Sequence, residues 1–128
     1  MSYHYIDTAD LDQWDDRDAD VRSISAAAGL DFQNSSFGLR IYEAEPGQQL
    51  PLGYHYHDEQ TEAFYVLDGT LHVETPEGEF VVGPDEVLVI DPGNPHRAYN
   101  PDDADASVRA LAIGAPTVDD AHGYDPEA

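Results

Sequence analysis

Three histidines and one glutamate carry the spacing from which a chemistry can be argued. His55 and His57 stand two residues apart. In an extended strand both imidazoles then fall on one face, their Cα atoms roughly 6.6 Å apart, close enough to converge on one ion. Tyr54 and Tyr56 fall on the opposite face. Glu62 follows across the polar loop Asp58-Glu59-Gln60-Thr61 and opens the next strand, while His96 lies far along the chain but also starts a strand, just after a turn built from proline and glycine. Three neutral imidazoles and a carboxylate suit Fe, Mn, Ni, Co, Cu or Zn. The chain has no cysteine, so no thiolate selects a soft ion, and disulfides and cysteine nucleophiles are excluded. The expected cofactor is one divalent transition metal, held by nitrogen and oxygen.

Such a cluster needs a rigid frame, and the sequence from Phe37 onward supplies short strands punctuated by turn residues. Phe37–Glu45 alternates Phe37, Leu39 and Ile41 against Arg40 and Tyr42 and stops at Pro46-Gly47. Glu62–Leu67 runs into Asp68-Gly69, a tight-turn dipeptide. Thr70–Glu74 and Phe80–Val82 read as a hairpin, Val87–Ile90 as an apolar strand closed by Asp91-Pro92-Gly93, and His96–Tyr99 and Val108–Ile113 complete the series. Many short strands with no long helix and no internal repeat predict an all-β sandwich or barrel. Residues 1–36 read as an irregular acidic N-terminal strap with one turn of helix near Ser25–Gly29, residues 37–115 as the barrel, and residues 116–128 as an acidic C-terminal tail.

The 128 residues suit one domain. Neither a membrane-spanning apolar run nor a signal peptide is visible, which predicts a soluble, cytoplasmic protein. Asp and Glu number 27 against five basic residues, all arginine, for a net charge of -22. Hydrophobic residues make up 41% of the chain, which argues against disorder and for acids flanking apolar strands. Nucleic acid and anionic membrane are poor partners, because the field of the whole chain opposes both. A small-molecule ligand is the expected partner.

The stretch Gly53-Tyr54-His55-Tyr56-His57, Glu62 and Gly69 resembles the first motif of the cupin superfamily, and Pro92-Gly93-Asn94-Pro95-His96 with Asn100 resembles the second. The resemblance covers roughly residues 37–113. It departs at turn positions, where Gln49 and Asp85 stand for family glycines and Asp91 for a family proline. It implies a single-domain cupin jelly-roll β-barrel, usually a homodimer, with a metal in the barrel mouth on His55, His57, Glu62 and His96. Tyr54, Tyr56 and Tyr65 are candidates for an aromatic dimer face.

Around the ligands, Arg40, Tyr42 and Tyr99 could reach the pocket or simply cover the sheets, as could Tyr65 and Arg97. Phe64 is a further pocket candidate, or core together with Val66, Leu88 and Ile90. His72 reads as a surface residue, and His4 and His122 lie near the chain ends. Four protein ligands on an octahedral ion leave about two positions for water, dioxygen or a bidentate oxygen ligand such as a keto acid, enediol or catechol-like group. Three readings follow: a metal-dependent enzyme, oxygenase- or isomerase-like; a non-catalytic ligand-binding or sensing protein; a storage or structural barrel. No general base beyond the ligands is recognisable.

The acidic composition is similar to that of halophilic proteins and yields a prediction independent of family. Like charges repel over a Debye length of about 10 Å at ~0.1 M salt and about 3 Å at ~1 M, and this repulsion opposes the compact state. The melting temperature of chelator-treated protein is expected to rise steeply across a potassium chloride series from about 0.1 to 1 M. A flat series would show that the acids are not a salt adaptation.

Overall fold

Burial alternates along β4 (Thr61–Asp68), and that alternation fixes the inside of the molecule. Glu62, Phe64 and Val66 are buried, while Ala63, Tyr65 and Leu67 face outward. The computed structural model describes residues 2–30 and 35–128. On one side of β4 lies β9 (Val108–Ala115), which buries Val108, Ala110 and Ala112, and on the other lies β7 (Val87–Ile90). Beyond β9 come β2 (Gly38–Ala44) and, at the edge, β1 (Asp20–Ser23), giving an antiparallel sheet in the order β1-β2-β9-β4-β7.

The facing layer centres on β5 (Leu71–Thr75), flanked by β6 (Gly78–Val82) and β8 (Arg97–Tyr99). A third ribbon pairs β3 (His55–His57) with β10 (Ala121–Gly123). Two backbone hydrogen bonds stitch it to the start of β8: His55 N–H donates to the His96 carbonyl at 3.0 Å, and His96 N–H returns to His55 at 2.9 Å. The apolar core between the layers is built from Tyr42, Phe64, Val66, Leu71, Val73 and Val108 with smaller neighbours. The molecule is nearly all β, a jelly-roll barrel, and His55, His57 and Glu62 line a cavity at its mouth.

Turn chemistry holds this frame in register. Gly69 has φ of 75°, and a Cβ there would collide with the Ser107 carbonyl, so the β4–β5 turn requires glycine. Asp85, at a family glycine position, also takes a left-handed φ of 65°. Aspartate tolerates that region better than most residues, and here its carboxylate accepts the Tyr65 hydroxyl at 3.0 Å.

The structure departs from the sequence reading in two places. The strap is not merely irregular: besides the 3-10 turn Thr8–Asp10 and the short helix α1 (Ile24–Ala27), it contributes β1, anchored by fully buried Val21. One apolar residue among Asp20, Arg22 and Ser23 leaves no periodic signal. Residues 1 and 31–34 of the strap lie outside the described residues. The tail likewise adds β10 to β3, a strand with no buried residue of its own. In β2, Arg40 and Tyr42 take the inward of the two placements left open by the sequence, while Leu39 and Ile41 face outward under the strap. The Ser25 hydroxyl, just within α1, accepts from Leu39 N–H at 3.0 Å and donates to the Leu39 carbonyl at 3.4 Å.

Candidate metal centre

The short β3 and the residue before β8 bring His55, His57 and His96 onto one side of the barrel mouth, and β4 brings Glu62 to meet them. All four are buried. Each imidazole is tied at Nδ1 by an acceptor: His55 by the Gly53 carbonyl at 2.9 Å, His57 by Asp120 Oδ1 at 2.8 Å, His96 by the Asn94 carbonyl at 3.0 Å. An acceptor at Nδ1 fixes the proton there and leaves the Nε2 lone pair free. All three Nε2 atoms then face one carboxylate oxygen, Glu62 Oε1, at 3.8 Å from His55, 3.8 Å from His57 and 2.7 Å from His96.

Nε2 of His55 and of His57 are fully buried without a hydrogen-bond partner among the described residues. Buried polar atoms left unpaired are rare and costly. Two acceptor lone pairs aimed at one carboxylate oxygen form a donor set that a divalent metal would satisfy. The donor atoms of His55, Glu62 and His96 lie within 4.8 Å of one another, a group that can hold such an ion. The residues present therefore fit a nitrogen- and oxygen-bound transition metal.

Protonation follows the same geometry. Burial favours a neutral Glu62, but the His96 hydrogen bond and the surrounding imidazoles outweigh it and hold the carboxyl below its ordinary value. Burial likewise disfavours charge on His96, yet Glu62 and the Asn94 carbonyl raise its pKa. His55 goes the other way: burial dominates and keeps it neutral. The 2.7 Å contact between His96 Nε2 and Glu62 Oε1 places the two groups where a proton and a metal would compete for the same lone pair.

Residues 40–114 match the profile of the cupin domain. The chain is a cupin. Its structure is similar to that of a sugar phosphate isomerase of the cupin superfamily from Silicibacter pomeroyi, at 25% identity and a TM-score of 0.78, over 95% of this chain and 82% of that one. The polyketide cyclase RemF of Streptomyces resistomycificus shares the fold at 19% identity and a TM-score of 0.76, over 97% and 87%. Streptomyces PAC13, seen with uridine, shares it at 11% identity and a TM-score of 0.73, over 97% and 92%. No curated protein sequence matches it.

Of this cupin's expected pocket residues, Arg40 and Tyr42 line a cavity of about 180 Å³ together with His55, His57 and Glu62. Phe64 packs behind the site, its ring edge-on to His96 at 6.2 Å. Tyr99 lies on the outer face of β8, where its hydroxyl donates to Glu79 at 3.0 Å and Arg97 stacks on its ring. In β8 only Ala98 points inward, so Tyr99 and Arg97 both cover the sheet.

The sequence reading missed Asp120. This buried residue accepts from His57 Nδ1, and its second oxygen accepts the backbone N–H groups of Glu59 at 2.7 Å and Gln60 at 2.9 Å. Burial pushes its carboxyl up, but these hydrogen bonds outweigh burial and keep it ionised. It comes from an acidic run 63 residues beyond His57, and no local pattern could single it out. The reading also missed Trp14 and Arg17 of the strap, which close the cavity rim.

Purified protein is expected to carry about one transition metal per chain, with His57→Ala or His96→Ala abolishing tight binding. Asp120→Ala should weaken affinity about 10–100-fold, as loss of a partner that orients a ligand does. Affinity should fall as the pH drops through a value above the ordinary imidazole 6.5, where His96 takes up its proton. Elemental analysis and metal titration across pH check all three; full occupancy in either histidine variant would contradict the assignment.

Proposed function

We propose that this cupin holds one divalent transition metal on His55, His57, Glu62 and His96 and is a metal-dependent enzyme, isomerase- or oxygenase-like, for a small oxygen-rich molecule. The observation that carries the reading is the convergence of three tautomer-fixed Nε2 atoms on one buried carboxylate oxygen. The ion would supply Lewis acidity to an oxygen of the ligand. The neighbours named above, a sugar phosphate isomerase, a polyketide cyclase and a protein bound to uridine, support a small ligand rich in oxygen. So does the cavity, which is smaller than the roughly 300–1,000 Å³ typical of drug-sized sites.

The chain's own residues complete the site. Tyr42 is buried in the cavity wall, with Arg40 Nη1 3.5 Å from its hydroxyl. Burial raises its pKa, and the Glu62 charge adds to that against the opposing effect of Arg40. The phenol therefore keeps its proton at neutral pH and can donate it to a ligand oxygen. Gln60 anchors the far wall: its amide donates to the Pro116 carbonyl at 3.0 Å, and it fills the space where a Cβ of Gly114 would sit. Gly114 lies opposite Glu62 in the sheet, so this close approach ties the loop after β3 to the ligand strand.

A second copy of the chain is the partner we propose for the outer face of the five-stranded sheet. Tyr65, Val87, Val89 and Ile113 are exposed there, and the register sets Tyr65 opposite Val87, with Ala63 between Val89 and Ile113. None of these five side chains is charged, in a chain of net charge -22. The expected aromatic face at Tyr54 and Tyr56 is instead occupied by the tail: Tyr124 stacks on Tyr54 at 4.9 Å, and His122 stacks on Tyr56 at 5.2 Å while its Nε2 meets Asp58 at 2.6 Å.

Two measurements test this reading. With cobalt(II) in the protein, a keto acid, enediol or catechol should perturb the visible spectrum, and Tyr42→Phe should cut turnover of the responding compound about a hundredfold with metal content unchanged. A spectrum indifferent to all three classes would remove the proposed chemistry. Light scattering in high salt should give a dimer, and Val89→Glu a monomer; a monomeric wild type would refute the interface.

A further inference from the structure

We propose that Arg17 and Arg40, both stacked on Trp14 at the cavity mouth, form an anion clamp that selects a ligand bearing a carboxylate or phosphate group. This rests on the functional reading above and names the ligand class it left open.

The chain has five cations, and two of them line this one cavity. The guanidinium of Arg40 lies 5.2 Å from the Trp14 ring centroid and that of Arg17 lies 5.9 Å from it. Stacking on an aromatic face holds a guanidinium in place while leaving its N–H fork free for a planar oxyanion. Arg22 and Arg97, by contrast, are bound to Asp20 and Glu74, while Arg109, also without an ion pair among the described residues, stands on β9 away from this cavity. Neither Arg17 nor Arg40 makes an ion pair among the described residues, although the chain has 27 acids and Arg17 stands between Asp16 and Asp18 in sequence. A cation that forgoes so many available carboxylates is disposed toward another anion.

The wall that presents the clamp is built, not incidental. Trp14 packs against the core, and its backbone N–H donates to the Val21 carbonyl at 2.8 Å. That bond closes the loop carrying Arg17 onto β1, while Ala19 is buried beneath it. Arg40 is set by β2, where alternation puts it on the inner face beside Tyr42. The acids lining the same cavity are Glu62, Asp119 and Asp120. Glu62 and Asp120 are already committed to His96 and to His57 with two backbone amides, which leaves Asp119 exposed at the rim. With a divalent ion in place the lining becomes net positive. Remote acids act across a screening length of about 8–10 Å, so the two local guanidiniums govern the last step of entry. The sequence placed Arg40 near the pocket, but the strap's contribution could not be read, because Trp14 and Arg17 reach the site only through the fold.

Trp14 is the only tryptophan, so its emission reports directly on the clamp. Protein as purified, and again after chelator treatment, is titrated with inorganic phosphate and separately with acetate at fixed ionic strength, by fluorescence and by calorimetry. A saturable response is expected; a response to phosphate assigns a phosphate ester, a response to acetate alone a carboxylate. Arg17→Gln and Arg40→Gln should each weaken it about tenfold, the effect of losing a charge-assisted hydrogen bond. Arg109→Gln, an equal change in charge on the outer face of β9, should leave it unaltered. No saturation with either anion, or equal affinity in the Arg17→Gln/Arg40→Gln double variant, would overturn the clamp. Metal content is read separately, so a response surviving in chelated protein supports the clamp even where the metal assignment fails.

Discussion

A buried carboxylate must be balanced, and the balancing of Glu62 organises this protein. Its oxygen sits in a barrel mouth where an isolated charge would be expensive, and three imidazoles are aimed at it. Each is locked by an acceptor at its far nitrogen, two of them backbone carbonyls of Gly53 and Asn94 that belong to the turns entering β3 and β8. The turns, the His55–His96 backbone bridge and the tail residue Asp120 are thus parts of one device. A divalent ion among these donors would satisfy the two unpartnered nitrogens and offset the buried carboxylate.

The grouping of His55, His57, Glu62 and His96 was legible because strand periodicity is local and the cupin-like spacing joins the two distant segments. A two-residue spacing places His55 and His57 on one face in any strand, and Asp68-Gly69 and Pro92-Gly93 bound the strands that carry Glu62 and His96. The sense of β2 was not legible. Leu39 and Ile41 look like core residues, yet they face a strap whose covering role has no signature in their own segment, and so Arg40 and Tyr42 enter the barrel. Asp120 and Arg17 escaped for the same reason: each lies in an acidic run that reads as solvated surface, and only long-range pairing of β10 with β3 and of β1 with β2 delivers them to the site.

Both terminal segments therefore contribute side chains to the candidate site. The N-terminal segment closes the mouth with Trp14 and supplies a cation; the C-terminal segment supplies the carboxylate that fixes His57. In a chain of net charge -22, two of the five arginines stand at this opening, beside the buried cluster of His55, His57, Glu62 and His96.

The central claim is that three imidazole nitrogens and one carboxylate oxygen surround a single ion. X-ray absorption at the edge of whichever metal copurifies reads those donors directly. The account predicts a first shell of nitrogen and oxygen with the outer-shell scattering of three imidazole rings. An oxygen-only shell, without imidazole scattering, would place the metal elsewhere on this acidic surface and contradict it.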